Sequence, residues 1–230
     1  GLFMAQDAVA KERTNQKRSL ETQKKILDAA EELFAEFGFY GTSLRDIHAL
    51  SGVRVSLSYY HFGSKESVLQ AVVDRRAEEH MQDMLGSLRH SLAMYAHNPL
   101  PLDVLIEAYV RPCLERHSCH GAGWKNYIRL LGHLASESAS SKNKAQFFKY
   151  NSVNQGFIDE FKRSLPNLGE AEIYWGFYFL QTALLNILLD TRIVDNQSGG
   201  QCNSGAIDQV IEQMQRFFGK GFGDSRYQDP

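Results

Sequence analysis

No stretch of this chain stays apolar for the roughly 18 residues that a membrane-spanning helix needs. The longest candidate, IYWGFYFLQTALLNILL, is interrupted by Gln181, Thr182 and Asn186 and reads as a buried helix. Only three cysteines and five prolines occur among 230 residues, which excludes a small disulfide scaffold and a proline-rich linker protein. The N-terminus lacks the basic-then-apolar order of a secretion signal, so the cysteines are expected as reduced thiols in a cytoplasm. Gly1 to Phe3, ahead of Met4, read as an added leader and are set aside. Strand signals are almost absent, and there is no internal repeat or low-complexity tract. Nor is there a nucleophile with a base and an orienting partner, or a phosphate-cradling loop, so nothing supports catalysis.

What is present describes an ordinary folded protein: 43% hydrophobic and 23% charged residues, with a net charge of −2. The charge is unevenly spread. Lys11, Arg13, Lys17, Arg18, Lys24 and Lys25 face only Glu12 and Glu21 in the leading segment, whereas acidic residues outnumber basic ones beyond Arg76. A basic end on a mildly acidic body suits a chain that presents that end to an anion, although a solvated helix start has the same charge pattern.

Apolar positions 26, 30, 33, 34 and 37 trace one helical face, and Gly38 follows as a C-terminal stop. In GTSLRDIHALSG, Ser43 and Asp46 have the spacing of a capping box, and Gly52 closes that short helix. Leu44, Ile47 and Leu50 are expected inward, with Val53 plugging the turn and Leu57 joining from the next helix. VRVSLSYYHF forms that second short helix, and Ser64 caps a long one running to Tyr95. After the NPLPLD break, helices are expected near 102–117, 124–136, 143–165, 169–192 and 204–219. The fold class is all-α. A three-helix unit, 19–67, precedes a helical bundle, 68–220.

Two short helices joined at a glycine, the second followed by polar-tipped aromatics, make the helix-turn-helix pattern. Residues 29–73 contain GTSLRDIHALSGV followed by YYHFGSKES. They resemble, without a gap, the DNA-binding domain of the tetracycline-repressor (TetR) family of transcriptional regulators. Beyond about residue 76 only the helix pattern carries the resemblance. It implies a double-stranded, palindromic operator as partner, a small-molecule effector, a homodimer, no cofactor and no resident metal. By position it implies phosphate contacts from Tyr60, His61 and Lys65 at one helix start, and from Thr42 and Ser43 at another. Arg54, Val55, Ser56, Leu57 and Tyr59 fall where the family reads base edges. Phe62 anchors the turn. The chain departs from the family at Ser58, where a branched aliphatic usually faces the core, and at Leu57, where a small or polar residue usually faces DNA. A rotated helix with Leu57 buried is one reading of that exchange.

In the second part, aromatic residues with polar handles and scattered amides suit an apolar cavity with a few hydrogen-bonding groups. Trp124, Tyr127, Phe147, Tyr150, Asn154, Phe157, Tyr174 and Tyr178 are the candidate effector residues. The helix at 169–192 is apolar around nearly its whole circumference. With the helix at 204–219 it suits a dimer seam, for which Trp175, Phe179, Leu184, Ile207, Val210 and Met214 are the candidates. The alternatives left open are a helical-bundle enzyme or carrier, and a metal or thiol sensor built on Cys113, His117, Cys119 and His120 in PCLERHSCHG.

Overall fold

The computed structural model describes residues 2–223, with side chains from Lys11 onward; Gly1 lies outside them. Every regular element among the described residues is helical, and the chain divides into two compact units, Gly1–Arg75 and Arg76–Pro230.

The first unit holds α1 (Leu2–Phe37), α2 (Leu44–Ser51), α3 (Val55–Phe62) and the opening turns of α4 (Lys65–Met94). Ile26, Ala30 and Phe34 of α1, Ile47 of α2, and Val68, Leu69 and Val72 of α4 are all buried. The turn after α1 begins at Gly38 in the left-handed region (φ 68°), where its N–H reaches Phe34 O at 3.0 Å. Arg75 closes the far side, bonding the buried Glu31 at 3.0 Å and Asp28 at 2.8 Å.

Two of the expected phosphate ligands are engaged inside this unit. Thr42 is buried, and its hydroxyl lies 2.9 Å from Gly38 O and 3.1 Å from Leu33 O, so it ties the turn to α1. The Lys65 ammonium donates to Phe39 O (2.9 Å) and Thr42 O (2.8 Å) and sits 4.0 Å from the Phe39 ring centre. With two of its three N–H bonds directed inward, Lys65 is first a lock on the 38–43 turn and not a freely offered charge.

The second unit is built around α5 (Leu102–Cys119), which packs against α6 (Ala122–Ser136), α8 (Asn151–Ser164), α9 (Glu170–Leu188) and α11 (Ile207–Gly223). The helix expected over 143–165 is two: α7 (Lys144–Phe148) and α8, separated at Lys149 and Tyr150. The one expected over 169–192 ends at Leu188, and a short α10 (Ile193–Gln197) follows Arg192 in the left-handed region. Tyr109, Phe157, Phe161, Phe177 and Phe222 form a continuous run of ring contacts through the core, with centroids 4.9–5.9 Å apart.

Replacing Lys65 by Met keeps the stem and removes the charge. We expect a loss of about 1–3 kcal/mol from the carbonyl bonds, seen as a lower denaturation midpoint by circular dichroism. An unchanged midpoint would show that the ammonium does not hold the turn.

Candidate functional site

The Ser43 side chain caps α2, accepting from Asp46 N at 3.2 Å while the Asp46 carboxylate accepts from Ser43 N at 2.9 Å. This is the expected capping box, and the Ser43 hydroxyl also reaches that carboxylate at 2.6 Å. Those bonds hold the Asp46 carboxyl below its ordinary range. Gly52 ends α2 in the left-handed region, its N–H on His48 O, and Arg54 then opens α3.

The register of α3 settles the Leu57 exchange. Leu57 is 43% exposed and Ser58 is 2% exposed, so the serine faces inward and the leucine outward. Leu50, expected inside, is also exposed, and His48 takes an interior place beside Ile47. The core here comes from α1, α2 and α4, and the small Ser58 lets the two-turn α3 lie against them. Arg54, Val55, Ser56, Leu57, Tyr59 and Tyr60 then occupy exposed positions, with Tyr60 at 82%. An eight-residue helix with this much outward apolar and phenolic surface gains nothing for its own fold from that exposure.

His61 is half-buried, and its Nδ1 accepts from Gln23 Nε2 of α1 at 3.3 Å. That bond puts the ring proton of the neutral imidazole on Nε2, leaving an N–H donor for another group. Ser64 caps α4, accepting from Ser67 N at 3.1 Å. The N–H groups of Lys65 and Glu66 have no acceptor within the helix, as at any helix start. The tips of α2 and α4 therefore present backbone donors suited to phosphate, that of α4 close in sequence to Tyr60 and His61.

A family model described as bacterial regulatory proteins, tetR family, matches residues 26–72, and one described as tetracyclin repressor-like, C-terminal domain, matches residues 107–221. This chain belongs to the TetR family. The HTH-type transcriptional repressor Rv3405c of Mycobacterium tuberculosis is 40% identical over 92 residues, 40% of each chain. The HTH-type transcriptional regulator TtgR of Pseudomonas putida is 33% identical over 102 residues, 40% of this chain and 48% of that one. The matched stretch thus spans less than half of these relatives' length. The solved structure of HlyIIR, a hemolysin II transcriptional regulator, superposes with a TM-score of 0.55 at 18% identity, over 85% of this chain and 97% of that one. At that identity it speaks for the TetR fold alone.

In the second unit of this TetR-family chain, a small internal cavity of about 30 Å³ lies among α4, α5, α6, α7, α8 and α9. Of the candidate effector residues, Phe147, Tyr150 and Asn154 line it, together with His80, Met84, Tyr109 and Cys113, which sequence reasoning did not assign to a pocket. Tyr127 stands behind it, bonded to Tyr150. Trp124 lies beside His80 with the Arg116 guanidinium 4.0 Å from its ring, and Phe157 is core beneath Tyr109. Tyr174 and Tyr178 are not part of the cavity. Both are exposed, and Lys162 lies over the Tyr174 ring.

A second concavity, an open groove of about 1190 Å³, runs between α9 and α11. Trp175, Phe179, Val210 and Met214 line it, and Ile207 is half-buried at the start of α11. Leu184, expected there, is buried and lines the internal cavity on the opposite face of α9. Trp175 is 60% exposed and Phe217 74% exposed on this side.

The Cys113, His117, Cys119 and His120 set does not converge. Cys113 is buried at the cavity, where burial pushes its thiol up to about 12, while Cys119 and His120 are exposed. Among the described residues no group of three or more His, Cys, Asp or Glu has metal-holding geometry, and no helix is long and apolar enough to cross a membrane.

Burial holds His80 down to about 4, against an ordinary value of 6.5, with Asp83 opposing the shift and Arg116 adding to it. The unfolded chain therefore takes up a proton near pH 6.5 that the folded chain refuses until about pH 4. Stability should fall across that window as pH is lowered, by about 3 kcal/mol from this group. The urea midpoint measured from pH 7 to pH 4 should drop less in His80→Gln. Parallel curves would assign the loss to other groups.

Proposed function

We propose that this chain is a ligand-responsive transcriptional repressor. Residues 19–67 bind a palindromic double-stranded operator, and residues 68–220 bind a small molecule and form a homodimer, acting in the cytoplasm. The observation that carries the reading is the outward face of α3. Arg54, Val55, Ser56, Leu57, Tyr59 and Tyr60 stand exposed on a helix locked from behind by Lys65, Thr42 and the Ser43 cap. A helix so presented fits a major groove, with side chains for base edges and the starts of α2 and α4 for the flanking phosphates. The effector reading rests on the internal cavity, whose mixed wall favours a mostly apolar ligand with one or two polar groups. Such a ligand releases DNA only if it prefers the non-binding state. Moving that equilibrium from about 1:99 to 99:1 needs roughly 5.5 kcal/mol of differential affinity.

Selection of tight-binding sites from a pool of random duplexes should enrich a two-fold symmetric sequence. Arg54→Ala should then cost about 1–3 kcal/mol of discrimination between that site and random duplex. Tyr60→Phe should weaken both to a similar extent. No enrichment, or a site without symmetry, would overturn the reading.

The α9–α11 groove is the proposed dimer seam. Sedimentation of the wild type should give a dimer at micromolar concentration. Phe179→Asp and Phe217→Asp, exposed in the single chain, should give folded monomers with weakened operator binding. A monomeric wild type would place the exposed aromatics in some other role.

A further inference from the structure

The internal cavity carries a specific chemical demand. Tyr127 Oη lies 2.7 Å from Tyr150 Oη, which lies 2.8 Å from His80 Nδ1. A phenol is a better donor than a neutral imidazole, and an imidazole nitrogen is a better acceptor than a phenol oxygen. The relay therefore runs Tyr127 O–H to Tyr150, then Tyr150 O–H to His80 Nδ1. The ring proton of His80 then sits on Nε2, and that nitrogen is buried with no partner. His80 is 1% exposed and lines the cavity. A buried donor left without an acceptor is costly, so whatever fills the cavity gains by supplying an acceptor.

The rest of the wall limits what that acceptor belongs to. No Lys, Arg, Asp or Glu lines the cavity. On the α4 and α5 side Arg116 is bonded to both Glu79 and Asp83, at 2.8 and 2.6 Å, and the Arg76 guanidinium lies over the Trp124 ring, 5.1 Å from its centre. An anionic group at His80 would lie beside the Glu79 and Asp83 carboxylates, and a cation would find its place taken by an N–H donor. Opposite, Gln181 donates to Tyr109 at 3.1 Å and Tyr109 donates to Asn154 at 3.3 Å, so these polar groups satisfy one another. The space of about 30 Å³ takes one or two water-sized groups. A larger body needs a wall to yield. Phe147, half-buried on the five-residue α7, is the ring most readily displaced.

We propose that this cavity anchors the effector, and that the effector is an uncharged, mostly apolar molecule presenting one oxygen acceptor to His80 Nε2–H. The proposal rests on reading the second unit as effector-binding and names the chemistry of that site.

Acetophenone, ethylbenzene and benzoate are close in shape and differ in carrying a neutral acceptor, none, or a charge. Calorimetric titration of the full chain and of Phe147→Ala should find acetophenone at least tenfold tighter than either of the others in both proteins. Affinity should be higher in Phe147→Ala. Adding His80→Phe should abolish the preference for acetophenone over ethylbenzene. The ¹⁵N shift of His80 Nε2 in Phe147→Ala should respond to acetophenone and not to ethylbenzene, which tests the contact should the double variant not fold. Equal binding of acetophenone and ethylbenzene would overturn the proposal, as would tighter binding of benzoate. So would a preference that survives His80→Phe, or no binding to either protein at millimolar concentration. Operator binding without ligand upholds the regulator reading whatever these probes do. His80-dependent acetophenone binding upholds the site even if DNA is not released.

Discussion

Backbone carbonyls in a tight turn have no helix or sheet to satisfy them, and leaving one buried without a donor costs about 1–3 kcal/mol. The 38–43 turn meets that constraint with side chains from distant points of the chain. Lys65, 26 and 23 positions away from its acceptors, covers the carbonyls of Phe39 and Thr42. Thr42 turns its hydroxyl back onto those of Leu33 and Gly38. Once the turn is fixed, so is the start of α2 at Ser43, and with it the seat of α3. The side chains that hold the seat of α3 are therefore spent on carbonyls, while the outward positions of α3 stay exposed.

The same rule governs the second unit with a different outcome. Tyr109, Asn154 and Gln181 satisfy one another, as do Tyr127 and Tyr150 with one nitrogen of His80. The other nitrogen has no partner. A network complete except for one donor is an expensive arrangement for stability alone and a selective one for binding.

Local features were the legible ones. The Ser43–Asp46 box, the left-handed Gly52 and the Ser64 cap each depend on residues within four positions, and each stands as its residue types require. Burial within α3 was harder to read, because eight residues hold too little of a 3.6-residue period to choose between Leu57 and Ser58. Lys65 was assigned to phosphate by its position at a helix start, and its bonds to the carbonyls of Phe39 and Thr42 gave no signal because those acceptors are remote in sequence. In α9 the pattern itself was mute. Ile173, Phe177, Leu180, Leu184 and Leu188 face inward while Tyr174, Trp175, Tyr178 and Phe179 face out, and a helix apolar on every side does not say which face is which. His80 lies within a polar run of α4, where a histidine gives no signal of burial until Tyr150 arrives from 70 residues away.

These packing relations also bear on how a ligand could matter to DNA. Interiors are close-packed, so a cavity this small admits a ligand only by moving a wall. α9 resists movement. Gly176 lets it approach α11 so closely that an added Cβ would sit 2.1 Å from the Phe222 ring. α7 is the cheaper wall, five residues long with two breaks in helix around it. Yet a ligand that displaced only α7 would bind both functional states equally and shift neither. It must also press on an element the head shares. α4 is one unbroken helix from Lys65 to Met94, with the turn lock on its first residue and His80 and Met84 at the cavity. Under the proposed function, an effector whose polar end is anchored on His80 would place its most directional contact on that helix, where a difference in affinity between two positions of α4 would become a difference in operator binding.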